Sequence, residues 1–237
     1  MVNAKKIVVI CCLAVVFTFT AALGLCVRAL YAPQAVFAVD GVWKIVIDAG
    51  HGGIDGGVTG ITTGVKESDL NLQISFELKE RLERAGFSVV MTRKTEAGLY
   101  DTTAKGFKKR DMLKRKECIE KENPSLVISV HQNYYASASQ RGAQVFYGNN
   151  SPKSKLLATA LQEKLNAVYE KHAAKPRKAA FGDYFMLKCA AAPSVIVECG
   201  FLSSPLDEAL LKTESWQKTL AEAITEGVTT FFIEQTA

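Results

Sequence analysis

From Trp43 onward the chain alternates short apolar runs with stretches of helical periodicity, and this alternation narrows the fold more than any other feature. Trp43–Asp48 reads Trp-Lys-Ile-Val-Ile-Asp, and Phe87–Met91, Leu126–Val130, Ala143–Tyr147, Tyr184–Leu187 and Ser194–Val197 are runs of similar length. Short runs with so little polar interruption suit strands covered on both faces. Between the first two, Leu70, Ile74, Leu78 and Leu82 recur every four residues ahead of Gly86, which predicts a helix from about Ser68 to Ala85. Phe107–Glu122 predicts a charged helix with Met112, Cys118 and Ile119 as its apolar side. Ser151-Pro152 opens a third helix, to about Lys171, with proline where a missing N–H costs nothing. A last helix covers roughly Ser215–Ile233, and Phe146, Tyr147, Phe185 and Trp216 are expected in the core. The pattern predicts an α/β domain, with a mixed, mainly parallel sheet of about six strands flanked by helices.

The N-terminus reads differently. Lys5 and Lys6 precede a nearly unbroken apolar run from Ile7 to Leu25, the pattern of an export leader. Its length also suffices to cross a bilayer. Residues 1–38 are therefore expected to be a signal peptide, with a small-residue site at Val36-Phe37-Ala38, or an uncleaved membrane anchor with a linker. Leu23-Gly24-Leu25-Cys26 is a poor lipobox, because Leu25 is large. Residues 39–237 are expected to form one domain acting outside the cytoplasm. The net charge of +5 shrinks to +2 without Lys5, Lys6 and Arg28, which leaves no strong basic surplus of the kind a nucleic-acid binder shows. The local basic runs Lys108-Lys109-Arg110, Lys114-Arg115-Lys116 and Lys175 to Lys178 read as solvated surface, with attraction to an anionic polymer as the alternative. Cys118, Cys189 and Cys199 have no metal-ligand spacing; they read as small buried hydrophobes, with a Cys189–Cys199 disulfide as the alternative.

The residues able to do chemistry fall at strand ends. Asp48-Ala-Gly-His51-Gly-Gly follows the first strand, Ser129-Val-His131-Gln-Asn133 the third, and Val197-Glu198-Cys-Gly the last. Open α/β sheets bind ligands outside the carboxyl ends of their strands. The glycines around His51 lack the lysine and hydroxyl residue of a phosphate loop. Two histidines so placed are either structural or candidate nitrogen donors for a zinc, which needs three protein ligands and an open position. Glu67, at the head of the first helix, is the best-placed third ligand, with Asp55 and Asp69 as local alternatives. Glu198 ends an apolar strand, where burial raises a carboxyl pKa and suits it to proton transfer. Asn133 either contacts the site or shapes its turn, and His172 lies in a polar, solvated stretch.

These segments resemble a known family. Lys44-Ile-Val-Ile-Asp-Ala-Gly-His-Gly-Gly, Lys66-Glu67-Ser68, Met91-Thr-Arg93, Ile128-Ser-Val-His-Gln-Asn, Arg141-Gly-Ala-Gln-Val-Phe-Tyr147 and Pro193-Ser-Val-Ile-Val-Glu-Cys-Gly-Phe-Leu-Ser look, in this order, like the zinc-dependent N-acetylmuramoyl-L-alanine amidases of the amidase-3 type. The resemblance implies a fold like the zinc exopeptidases, His51, Glu67 and His131 as zinc ligands, and Glu198 as the catalytic residue. It makes Asn133 and Arg93 candidates for substrate contact. The implied reaction is hydrolysis of the amide between the lactyl group of N-acetylmuramic acid and L-alanine in peptidoglycan. Ala49, Gln132 and Ser204 depart from residues common in the family without removing a ligand or the base. A leader, one catalytic domain and no second wall-binding module look most like the sporulation-type cortex amidases. That subtype implies wall or membrane association, including the spore envelope, and stem-peptide removal ahead of muramic-δ-lactam formation. It also leaves room for an accessory protein in localisation or activation. A vegetative autolysin, a wall-peptide carboxypeptidase or endopeptidase, and a wall-binding protein with a silent site are the competing readings.

Overall fold

The structure, a computed structural model, describes residues 43–236; the leader expected over residues 1–38 lies outside the described residues. Six strands form one sheet: β1 (Lys44–Ala49), β2 (Ser88–Met91), β3 (Leu126–Asn133), β4 (Gln144–Tyr147), β5 (Ala180–Phe181) and β6 (Ser194–Phe201). Their spatial order is β2-β1-β3-β6-β4-β5. All neighbours are parallel except β4 and β6, which run antiparallel, so the sheet is mixed and mainly parallel as expected. Five α-helices accompany it among the described residues: α1 (Glu67–Arg84), α2 (Phe107–Glu122), α3 (Ser154–Glu170), α4 (Pro205–Leu211) and α5 (Glu214–Thr236).

Strand alternation sends successive side chains to opposite faces. Ile45, Ile47, Ile128, Val130, Val195 and Val197 join the larger core, into which α1, α3 and α5 also pack. Val46, Val127 and Ile196 face a smaller cluster with Ile119 of α2 and with Met186 and Leu187. The four-residue repeat of α1 is its buried stripe, for Leu70, Ile74, Leu78 and Leu82 are all inaccessible to solvent. Glu67 and Asp69 in its first turn and Arg81 and Arg84 in its last oppose the helix dipole. Gly86, at φ +96°, takes the left-handed backbone that lets the chain turn into β2.

The structure departs from the sequence reading in several places. β3 and β6 run on through His131 to Asn133 and through Glu198 to Phe201, so both chemical residues lie within strands rather than after them. Backbone pairing needs no apolar side chain, so it continues where the apolar pattern stops. Tyr184–Leu187 is not a strand; Met186–Lys188 is a 3-10 turn, and Tyr184 and Phe185 are exposed. Phe185 therefore lies outside the core, whereas Trp216 is buried and Phe146 and Tyr147 are half-buried. The short edge strand β5 pairs with β4 instead. Helix α4 also escaped the periodic reading, although Ser204 before Pro205 marks its start; the Ser204 hydroxyl accepts the Asp207 N–H at 3.4 Å. Cys189 and Cys199 are both buried and free, one in each of the two clusters on opposite faces of the sheet, so they form no disulfide.

Candidate active site

The turn after β1 brings the first histidine to the C-terminal edge of the sheet. His51 adopts φ +60°, a left-handed conformation unusual outside glycine. Two buried guanidinium groups hold the carbonyls on either side of that turn. Arg93 donates to the carbonyl oxygens of Ala49, Gly50, Ser68 and Thr95 at 2.8 to 3.0 Å. Arg115 donates to Ala49 O at 2.7 Å and His51 O at 2.6 Å.

Arg115 also binds the Asp48 carboxylate at 2.7 Å and the Asp111 carboxylate at 2.6 Å, and Thr92 and Ser129 donate their hydroxyls to Asp48, each at 2.7 Å. Burial alone pushes the Asp48 carboxyl up, but Arg115, Ser129 and Thr92 hold it down at about 2. Arg115 is thus not the solvated residue that its neighbours Lys114 and Lys116 suggest; with Asp111 and Ile119 it forms the buried stripe of α2. The expected apolar side of that helix is correspondingly reduced to Ile119 as its one fully buried member, with Met112 and Cys118 half-buried. Arg93, a candidate substrate contact on sequence, is buried and spends its guanidinium on bracing the loop.

His51, Glu67 and His131 converge, with one ligand atom from each lying within 4.8 Å of the others. Glu67 Oε1 is 3.3 Å from His51 Nε2 and 3.0 Å from His131 Nδ1. It also accepts the Gln132 N–H at 3.1 Å and the Asn71 amide at 3.3 Å, while Oε2 accepts the Val58 N–H at 2.9 Å. Burial works against ionisation of Glu67, yet His131 and His51 hold it well below the usual carboxylate range. Asp55, the alternative third ligand, instead meets the far nitrogen of His51, its Oδ2 lying 3.1 Å from Nδ1. This outer carboxylate selects the tautomer whose Nε2 lone pair points toward Glu67. The loop glycines make room for these groups. A Cβ on Gly50 would lie 2.2 Å from His131 Cε1, and one on Gly57 would lie 2.3 Å from Glu67 Oε2. Two imidazoles and an ionised carboxylate converging on one point are a donor set suited to a divalent cation of zinc type.

Glu198 stands beside His131, since the two residues are register partners in β3 and β6. Burial pushes its carboxyl up to about 7. Its Oε2 is buried without a hydrogen-bond partner among the described residues. A buried acceptor left in this state is costly and suits a group that takes and returns a proton during a reaction. Asn133 closes the strand and turns its side-chain oxygen onto the Tyr134 N–H at 2.8 Å, the turn-shaping role. His172 is exposed and packs edge-on against Trp216, away from the ligand group.

Comparison with known proteins places this geometry. The chain matches the Amidase_3 family, N-acetylmuramoyl-L-alanine amidase, over residues 45–230. It belongs to that family. The germination-specific N-acetylmuramoyl-L-alanine amidase of Bacillus subtilis is 30% identical over 194 residues, covering 81% of this chain and 80% of that protein. The CwlD amidase of Clostridioides difficile, solved in complex with the GerS lipoprotein, superposes with a TM-score of 0.76 at 34% identity, over 81% of this chain and 98% of that one. The catalytic domain of CwlV, an N-acetylmuramoyl-L-alanine amidase from Paenibacillus polymyxa, gives 0.70 at 25% identity, over 81% and 99%. As an N-acetylmuramoyl-L-alanine amidase the chain is a hydrolase of peptidoglycan, which lies outside the cytoplasm, and its mixed α/β sheet is that of its solved relatives. In this amidase the His51, Glu67 and His131 group is the one able to hold a metal among the described residues.

Proposed function

We propose that this amidase works with one zinc ion held by His51, Glu67 and His131, with Glu198 moving the proton. The observation that carries the reading is the pairing of a convergent His-Glu-His group with a carboxyl one strand away whose Oε2 is buried and has no hydrogen-bond partner among the described residues. When bound, the zinc supplies a Lewis acid for the scissile carbonyl and makes a water molecule more acidic.

The residues of the chain supply the rest. Asp55 accepts from His51 Nδ1 and so keeps Nε2 as the ligand atom. Gln132 N–H, Val58 N–H and the Asn71 amide fix both oxygens of Glu67. Glu198 takes a proton as water adds to the lactyl carbonyl, then delivers it to the nitrogen of L-alanine as the C–N bond breaks. A carboxyl that titrates at about 7 can serve in both directions near neutral pH. The products are a free lactyl carboxyl group and a stem peptide with a free amino terminus.

The biological setting follows the relatives. Similarity to a germination-specific amidase supports a role in the spore cortex, and in that role stem-peptide removal would precede muramic-δ-lactam formation. The CwlD amidase is found with a lipoprotein, which supports an accessory protein for this chain as well. Residues 1–38, read as the export leader or anchor, and residues 39–237, read as the catalytic domain, support action at the wall or membrane surface. Digestion of defined muropeptides by the zinc-loaded protein, with mass analysis, tests the chemistry. A free muramic acid lactyl group is expected, whereas cleavage within the stem peptide would indicate a peptidase. Spores that lack the protein are expected to lack muramic-δ-lactam; normal lactam content would remove the cortex assignment.

A further inference from the structure

The ligand group opens into a cleft of about 280 Å³. Lys108 and Met112 of α2, Tyr184 and Phe185 from the turn before the 3-10 helix, and His51 and His131 all line it. The aromatic part of this lining is built rather than incidental. Phe146 packs edge-on against Tyr184 with ring centroids 5.3 Å apart, and a Cβ on Gly182 would lie 2.3 Å from Tyr184 Cε2. Tyr184 and Phe185 nevertheless keep over two-fifths of their surface in solvent.

The charges in this lining are nearly all committed. Asp48 and Asp111 are bound to Arg115, and Asp55 is engaged by His51. Lys108 differs: its side chain is 65% exposed, and its ammonium gives one contact to Asp55 Oδ1 at 3.1 Å. A lysine ammonium carries three donors, so donors remain for a second acceptor. The cleft therefore suits a small, mostly apolar segment that carries a carboxylate.

We infer that the cleft receives the peptide side of the scissile amide, and that Lys108 meets a carboxylate on the residue following L-alanine. This rests on the amidase reading. On the other side of the bond, the lactyl carboxyl is itself consumed in the amide and the sugar ring carries no second acid. A free carboxylate next to the reacting bond thus belongs to the peptide. Met112 and the two aromatic faces fit the alanine methyl group and peptide backbone, while the glycan lies outside the cleft. Lys108 is then a specificity-determining residue: a residue with a free α-carboxyl is favoured over the same residue amidated.

Two synthetic N-acetylmuramoyl dipeptides test this, identical except that the second residue carries a free α-carboxylate or its α-amide. The full-length, zinc-loaded protein is expected to prefer the acid by about tenfold in kcat/KM, the size of one charge-assisted contact. Added salt should shrink the preference. Lys108→Met should lose about tenfold on the acid, chiefly through KM, and less than about threefold on the amide, with bound zinc unchanged. Equal loss on both substrates, or a loss of zinc, would show that Lys108 acts through Asp55 and His51 and would overturn the inference. So would a wild-type enzyme indifferent to the carboxylate, or a preference that survives Lys108→Met. If the wild type cleaves neither compound, the amidase reading fails instead.

Discussion

Arg115 donates to the carbonyl oxygen of His51 at 2.6 Å, so a fully buried charge on α2 holds the backbone of a candidate metal ligand. The same guanidinium neutralises Asp48 beneath the site and Asp111 on its own helix. With Arg93 it grips the carbonyls on which the left-handed turn at His51 depends. Strain of this kind persists only where the surroundings over-determine it.

Arg115→Met leaves two buried carboxylates uncompensated and is expected to cost about 3–5 kcal/mol of stability in chemical denaturation. Arg115→Lys keeps the charge but not the fork that reaches both carboxylates and both carbonyls. A folded Arg115→Lys protein is expected to bind zinc ~10–100-fold more weakly in chelator competition, as for other groups behind metal ligands. Zinc affinity equal to wild type in that variant would confine Arg115 to stability alone.

The pH dependence of stability has a defined direction. The Asp48 carboxyl titrates at about 2 in the folded chain against an ordinary 3.8. Its contribution is therefore complete above about pH 4 and is lost as pH falls from there through 2. That contribution is on the order of 2 kcal/mol. Asp48→Asn is expected to lose stability at neutral pH and to show a shallower decline between pH 4 and 2 than wild type. Parallel curves for the two proteins in acid titrations of unfolding would reject the assignment.

Much of this arrangement was legible in the chain, for identifiable reasons. The leucine repeat of α1 and the apolar runs of β1 and β3 report burial directly, because hydrophobic periodicity and packing are the same fact. His51 and His131 stood out because the chain has only 3 histidines, and Glu198 because it follows an apolar run. Glu67 was harder, since a carboxylate at a helix start is ordinary, and its place came from family resemblance. Arg115 was hidden: a guanidinium between Lys114 and Lys116 looks solvated until Asp48 is placed against it across 67 positions. Its one local signal was the spacing of Asp111, Arg115 and Ile119 along one helix face. The Tyr184–Leu187 run misled because aromatic content resembled a strand, whereas Tyr184, Phe185 and Met186 line a cleft and Leu187 packs in the smaller core.

Gly50 offers a steric test. Any side chain there meets the His131 ring at 2.2 to 2.7 Å, with no positive φ to add backbone strain. Gly50→Ala should displace that ring and cost about 1–3 kcal/mol. Zinc binding should weaken while the α/β fold persists by circular dichroism. Unaltered zinc affinity would show that His131 does not hold the metal in the orientation described.

The most direct test of the account is metal content and turnover measured together on Glu198→Gln and wild type. About one zinc per chain is expected in both proteins, with release of stem peptide from muropeptides by wild type and a loss of on the order of 10²-fold or more in Glu198→Gln. Near-normal cleavage by Glu198→Gln, or cleavage by wild type that persists after complete removal of zinc, would contradict the account.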